Sequence, residues 1–244
     1  MPDIVEFCRR AAAELTGGEP VVLVGSHARG TATAESDVDL LVLGEGPDYL
    51  LEVAGDRLVA LSWRTPERQR DRFADPESAV AEVPAWRDGV IVRDVDGAAA
   101  ALRAEALAWS WEQVADAADR WVAEQVTGLA EEVHKLAGAL RTGRPRMAAV
   151  QRDLLVLRLP MILAVRLRLL YASENEVWDL VAAAAGDAWR EAQDTALGLR
   201  GGSPEQTCRA ALDLYRDAAA RTAGLLDDRQ RRVVDRAAGL TRPA

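Results

Sequence analysis

The chain has 244 residues, enough to bury one large core or two smaller ones. Hydrophobic residues make up 49% and charged residues 28%, a balance typical of a globular protein. The formal net charge of −9 argues against a general nucleic-acid-binding protein, because contacts with phosphates need a basic face. A local basic pocket for a triphosphate is compatible with this charge.

The cysteines and the N-terminal segment bear on the compartment. Cys8 and Cys208 are far apart and lack metal-site spacing, which indicates two reduced, buried thiols rather than a disulfide. The first 15 residues have the pattern of an amphipathic helix containing acids, not of a signal peptide. No apolar run reaches the roughly 18 residues that a membrane span needs. We therefore predict a cytoplasmic protein with no membrane partner.

The first part of the chain alternates between helical and strand patterns. Apolar residues recur at helical spacing over residues 3–16, and Val21–Val24 predicts a short buried strand. A second buried strand is predicted at 40–43, one or two helical turns at 49–53, and a third strand at 57–63. Helices are predicted at 65–73, with Thr65 as N-cap, and at 75–82. A fourth strand follows at 89–93.

The segment VVLVGSHARGTATAESDVDLLVLG contains the residues most suggestive of chemistry. Gly25 lets the backbone approach a ligand closely, and the N–H groups of the turn at Ser26 attract anions. Arg29, at the end of this turn, is a candidate for neutralising phosphate charge. Asp37 and Asp39 alternate with Val38 along a strand, so both carboxylates point to one face and suit Mg²⁺.

The order GSHARG, seven residues, then DVD resembles the signature of the polymerase β-like nucleotidyltransferase superfamily, in particular its small-molecule, antibiotic and minimal branches. The resemblance implies Mg²⁺ as cofactor and a nucleoside triphosphate, ATP first, as co-substrate. Asp37 and Asp39 would hold the metal. Gly25, Ser26 and Arg29 would contact the phosphates, and Ser36 is placed with them as the residue that caps the turn before the carboxylates.

The superfamily pattern also includes a third carboxylate on a neighbouring strand, and here the sequence departs from it. Ala60 and Ser62 occupy the positions where an acid would face the site. Asp56, just before that strand, is the nearest carboxylate and our candidate for the missing catalytic acid. This departure leaves open whether two-metal catalysis is retained.

From Ala98 onward alanine and leucine rise and strand patterns cease. Helices are predicted at 98–109, 110–141, 145–172, 174–199 with a break at Gly186, 204–223 and 225–239. We therefore predict an α+β protein with a mixed-sheet nucleotidyltransferase-like domain at 1–97 and a helical bundle domain at 98–244. By resemblance to antibiotic nucleotidyltransferases, nucleotide and acceptor would meet in a cleft between them.

Some residues of the helical half are candidates for binding the substrates. Arg152 and Arg166 fall about 40° apart around a helix axis and are candidates for holding the triphosphate; a solvated stripe of arginines is the alternative. Glu132, Glu174 and Asn175 are candidates for the acceptor side.

The function predicted is transfer of a nucleoside monophosphate to a hydroxyl of a small molecule, with release of pyrophosphate. This would serve antibiotic modification or biosynthesis in a monomer or homodimer. The alternative is a degenerate relative, repurposed for ligand binding or other biosynthetic chemistry, and a third class is modification of a partner protein.

Overall fold

The computed structural model describes residues 2–241, with side chains from residue 4 onward. Met1 and residues 242–244, which fall in the predicted domains 1–97 and 98–244, lie outside the described residues. Packing divides the chain into two compact units. The first ends at Val114 and also takes in Leu170–Glu174, and the second consists of Ala115–Leu169 and the residues from Asn175 on.

The first unit is built on a five-stranded mixed sheet with the order β3-β4-β2-β1-β5. Its strands are β1 (Val21–Val24), β2 (Val38–Leu43), β3 (Leu50–Ala54), β4 (Arg57–Arg64) and β5 (Val90–Arg93). Strands β2 and β4 are parallel, and the other neighbours are antiparallel. Together with the all-helical region that follows, this confirms the predicted α+β fold class.

The predicted helical turns at 49–53 are wrong, because this segment is the edge strand β3. It pairs antiparallel with β4 through a two-residue turn at Gly55 and Asp56, and Gly55 has φ +62°. A glycine at positive φ is what a tight hairpin turn requires at its first position. The pairing with β4 decides the conformation of this short segment, whose own pattern is ambiguous.

Five helices belong to the first unit: α1 (Pro2–Leu15), α2 (Gly25–Arg29), α3 (Pro66–Ala74), α4 (Pro76–Asp88) and α5 (Ala98–Ala108). The predicted starts of α3 and α4 are confirmed. The Thr65 side chain accepts a hydrogen bond from Arg68 N–H, and the Asp75 side chain accepts one from Ser78 N–H. Helix α4 continues to Asp88 instead of ending near residue 82.

The sheet has a core on each face. On one face, Cys8 and Ala12 of α1 pack against Leu23, Leu40 and other strand residues of the same parity. On the other face, the alternate strand residues pack against α3, α4 and α5. Asp39 has the parity of this second face. Burial at Cys8 raises the pKa of its thiol to about 11, and both cysteines are free and buried, as predicted.

The second unit is helical throughout. Its helices are α6 (Ala115–Gly128), α7 (Ala130–Arg141), α8 (Pro145–Arg166), α9 (Val177–Ala185), α10 (Asp187–Ala196), α11 (Pro204–Thr222) and α12 (Asp228–Leu240). The predicted break at Gly186 is confirmed, but the single helix predicted over 110–141 is a 3-10 turn followed by α6 and α7. None of the described helices is long and apolar enough to cross a membrane.

The division by packing falls after Val114 and not after Gly97, because α5 packs on α3 and α4 and buries Ala99, Leu102 and Ala106 in the core of the first unit. The domain boundary after Gly97 itself stays a prediction.

Candidate functional site

The site begins where β1 ends. The four buried residues of β1 lead directly into α2, a short helix whose first residue is Gly25. Gly25 has φ +70°, and a Cβ at this position would lie 2.2 Å from Asp39 Oδ2. Glycine is therefore required twice, for its backbone conformation and because a carboxylate packs against its Cα. Gly30 ends the turn at φ 73° and donates its N–H to Ser26 O.

Asp39 is the carboxylate that meets this turn. It lies in β2 directly opposite Val24, the last residue of β1, and is partly buried. Burial, followed by the negative charge of Asp37, raises the pKa of Asp39 to about 6, while the positive charge of Arg29 acts in the opposite direction. The two carboxylates are thus close enough to repel each other, as strand alternation predicts.

These features fit a hard divalent cation. Two carboxylates share one face, one of them is held against a glycine turn, and their mutual repulsion would be relieved by a bound positive charge. Asp37 and Asp39 are the residues that would hold Mg²⁺. Among the described residues, however, no group of three or more His, Cys, Asp or Glu side chains is placed to hold a metal ion.

The position beside Asp39 on the neighbouring strand is occupied by Ala60, its register partner in the parallel pair. Register partners point to the same face of a sheet. Asp56 lies four residues before Ala60, about 13 Å along an extended strand. There it lines a pocket with His27, the loop at 30–36 and Arg57. Asp56 therefore lies apart from Asp39 along the strand. It is nearer to the level of Asp37, which falls two residues, about 7 Å, after Asp56 in the register of β2 and β4. The catalytic role of Asp56 stays a prediction.

Arg29 and Ser36 lie close to the carboxylates in the chain, and each makes a contact that orders a segment. Arg29 Nη1 donates to Ala172 O at 2.7 Å, within the segment Leu170–Glu174 of the first unit. Ser36 Oγ accepts from Thr33 N–H at 3.0 Å, so it stabilises the loop that leads into Asp37. This agrees with a turn-capping role for Ser36, and its contact with a cofactor stays a prediction.

The two acceptor candidates Glu174 and Asn175 fall on either side of the division between the units. Glu174 belongs to the first unit. Burial, followed by the negative charges of Glu174 and Glu77, raises the pKa of Tyr171 to about 12. Tyr171 N–H donates to Val80 O at 3.0 Å, which ties this segment to α4. Asn175 is the first residue of the later of the two segments that form the second unit.

The remaining candidates lie within the second unit. Arg152 Nη2 lies 2.6 Å from Asp153 Oδ1, and its Nη1 donates to Thr207 Oγ1 at 3.1 Å. Arg166 Nε donates to Arg221 O at 2.8 Å. Glu132 lies 3.6 Å from Lys135 Nζ. All of these contacts are made within the second unit. The roles of these residues toward substrates, like the cleft between domains, stay predictions.

Sequence reasoning missed the residues of β3, because the segment was interpreted as helical. The signal was present: Gly55-Asp56 separates two apolar runs, LLEVA and RLVAL, which is a hairpin pattern. With β3 in place, Leu51 is the register partner of Ala60, and Val53 is the partner of Leu58.

The comparisons with known proteins agree with this fold. The model of the protein family described as "Nucleotidyltransferase domain" matches residues 5–95 of this chain. A solved structure, a nucleotidyltransferase-like protein from Exiguobacterium sibiricum 255-15, matches with a TM-score of 0.56 and 14% identity, over 89% of this chain and 75% of that one. No curated protein matches. The chain thus contains a nucleotidyltransferase domain of the polymerase β-like type, as the sequence resemblance predicted.

Proposed function

We propose that the protein transfers a nucleoside monophosphate from a nucleoside triphosphate, ATP first, to a hydroxyl of a small molecule in a Mg²⁺-dependent reaction. The observation that carries the proposal is the placement of Asp39 against the Gly25 turn, with Asp37 on the same face. A phosphate-binding turn joined to paired carboxylates is the arrangement that metal-assisted phosphoryl chemistry uses.

The chain's own residues divide the work as follows. Asp37 and Asp39 hold the metal, while Gly25 and Ser26 contact the β- and γ-phosphates and Arg29 offsets their charge. When bound, Mg²⁺ neutralises charge on the phosphates and orients them. Arg152 and Arg166 are proposed to contact the triphosphate, and Glu132, Glu174 and Asn175 the acceptor. No nucleic acid or membrane is expected as a partner, and the protein is proposed to act as a monomer or homodimer in the cytoplasm.

The proposed transfer needs only the triphosphate and the acceptor hydroxyl as reactants. The acceptor hydroxyl oxygen forms a bond to the α-phosphorus, and the bond from that phosphorus to the bridging oxygen of the β-phosphate breaks. Pyrophosphate leaves with the electron pair, and the hydroxyl proton passes to water.

A second candidate function is supported by Ala60, which stands beside Asp39 where the superfamily pattern has an acid. Without that acid, the site would bind a nucleotide or carry out other chemistry with little transfer. This is the degenerate, repurposed alternative.

Pyrophosphate release separates the two candidates. We would measure it with a panel of triphosphates and hydroxyl acceptors on wild type, Asp39→Asn and Asp56→Ala. The proposal predicts release by wild type and a loss on the order of a hundredfold or more for Asp39→Asn, because a metal ligand is removed. Asp56→Ala tests the predicted catalytic role of Asp56: a loss of the same order would support it, and release that survives the substitution would refute it. Absence of release from wild type with every substrate pair would favour the repurposed site.

A further inference from the structure

An apolar surface continues the face of Asp39 across the sheet. Ala60 is the register partner of Asp39, Leu51 is the partner of Ala60, and Val53 pairs with Leu58 in the same hairpin. Because register partners share a face, these side chains lie on the carboxylate side of the sheet. We call Leu51, Val53, Leu58 and Ala60 the β3–β4 strip.

Three of the four residues of the strip are exposed and none is charged, whereas Ala60, beside Asp39, is buried at 5% exposure. Leu51 is 46% exposed, Val53 70% and Leu58 44%. Two charged residues next to the strip point the other way: Glu52 pairs with Val59, which is buried in the α1 core, and Arg57 lies over the Phe7 ring at 5.5 Å. Arg64, at the far end of β4, has the parity of Ala60 and forms an ion pair with Glu82. Leu51, Val53 and Leu58 are therefore partly or largely exposed on the carboxylate side of the sheet, while Glu52 and Arg57 lie on the opposite face.

In the proposed reaction, the strip lies on the side of β2 from which the acceptor hydroxyl would approach the α-phosphorus. The Gly25-Ser26 turn follows β1, on one side of β2, whereas β4 and β3 lie on the other side. In phosphoryl transfer the attacking and leaving oxygens are roughly in line. If the β- and γ-phosphates lie at Ser26, the leaving pyrophosphate is on the β1 side, and the attacking hydroxyl arrives from the β4 side.

We infer that the acceptor has an apolar body attached to its hydroxyl, and that this body packs on the β3–β4 strip. The inference rests on the proposed function and adds the chemical class of the acceptor. Neighbouring strands are about 4.8 Å apart, so the strip extends from about 5 to about 10 Å from the column of Asp39, the length of a phenyl or short alkyl group. A polycationic acceptor would find no carboxylate along this path on β4 or β3.

The test uses three primary alcohols that share a three-carbon chain: 3-phenylpropan-1-ol, propane-1,3-diol and 3-aminopropan-1-ol. With Mg²⁺ and ATP, we expect kcat/KM for the phenyl compound to exceed that of the other two by tenfold or more, mainly through KM. Leu51→Asp and Val53→Asp should each lower this value on the order of tenfold, since contact with an apolar side chain is lost. The values for propane-1,3-diol should not change.

Two controls come from the same unit. Val95→Asp changes a valine that is 69% exposed, close to the 70% of Val53, but away from the strip, and Glu52→Gln changes the opposite face of β3. Both should behave as wild type. Leu51→Ala keeps the strand uncharged and should lower kcat/KM for the phenyl compound less than Leu51→Asp does. A loss in this variant cannot be attributed to misfolding caused by a new charge.

Binding is also measured without turnover, by saturation-transfer NMR of 3-phenylpropan-1-ol with the metal-free protein. A signal that Val53→Asp removes and Val95→Asp keeps would support the strip even if no transfer is detected. Preference for the aminoalcohol, or equal behaviour of the two valine variants, would overturn the inference. So would a dimer in sedimentation that Leu51→Asp dissociates, because the strip would then be covered by a second copy.

Discussion

At the residue scale, Gly25 determines whether the site can form. Its positive φ and its contact with Asp39 are separate requirements, and the chain offers a residue that has only the first. Gly55 has φ +62°, and a Cβ there would meet nothing within 4 Å. The two glycines therefore allow the strain of an alanine to be separated from its collision with the carboxylate.

We predict that Gly55→Ala costs about 1–2 kcal/mol of unfolding free energy, the strain of a left-handed alanine. Gly25→Ala should cost more, and it should also abolish Mg²⁺-dependent nucleotide binding, because Asp39 has to move. Urea unfolding and calorimetry on the two variants measure these effects. Equal loss of stability with intact nucleotide binding in Gly25→Ala would show that the contact is unimportant.

The arginines illustrate what residue patterns leave undecided. Helical spacing placed Arg152 and Arg166 on one face of a helix, and both lie within α8. Two of their partners, Thr207 and the carbonyl oxygen of Arg221, could not be predicted, because they depend on how α11 packs against α8. Spacing along one helix carries no information about its neighbours.

At the element scale, the register of β2 and β4 sets the chemistry of the site. Asp39 stands beside Ala60, and Leu41 stands beside Ser62. An acid introduced at Ala60 would therefore share the site with Asp37 and Asp39. An acid at Ser62 would lie two residues, about 7 Å, further along the strand.

We predict that Ala60→Asp increases Mg²⁺ affinity by tenfold or more, since a third carboxylate is added to the ligand set. Ser62→Asp, the matched control on the same face of β4, should have a much smaller effect. Calorimetric titration with MgCl₂ measures both, with circular dichroism to check the fold. A larger effect at Ser62 than at Ala60 would contradict the pairing of Asp39 with Ala60.

The sequence predicted the elements whose conformation is determined by residues adjacent in the chain. Strand β1, the cap at Thr65 and the helix start at Asp75 follow from a few adjacent residues, and so does the turn at Gly25. Strand β3 was missed because its conformation depends on pairing with β4, and the break between α6 and α7 was missed because an apolar helical pattern runs through Leu129. The placement of Asp56 depended on the same hairpin, because Asp56 lies in the turn that joins β3 to β4.

At the scale of the whole molecule, the net charge of −9 accompanies a local arrangement that suits a triphosphate. Arg29 supplies positive charge at the site itself, where it acts on Asp39. The sequence predicted two parts with different composition, and packing also yields two units. The boundaries of the predicted parts and of the packed units differ. Helix α5 and the segment Leu170–Glu174 pack with the sheet unit, although both fall in the part of the sequence that was predicted as the helical bundle.

The most direct test of the Asp37–Asp39 site is calorimetry of ATP binding to the whole chain. Wild type should bind ATP in the presence of Mg²⁺ and lose this binding when EDTA replaces the metal. Asp37→Asn and Asp39→Asn should each lose the metal-dependent binding, while Asp56→Asn should behave as wild type. Equal ATP binding by wild type with and without Mg²⁺, unchanged in Asp37→Asn and Asp39→Asn, would contradict the assignment of this site.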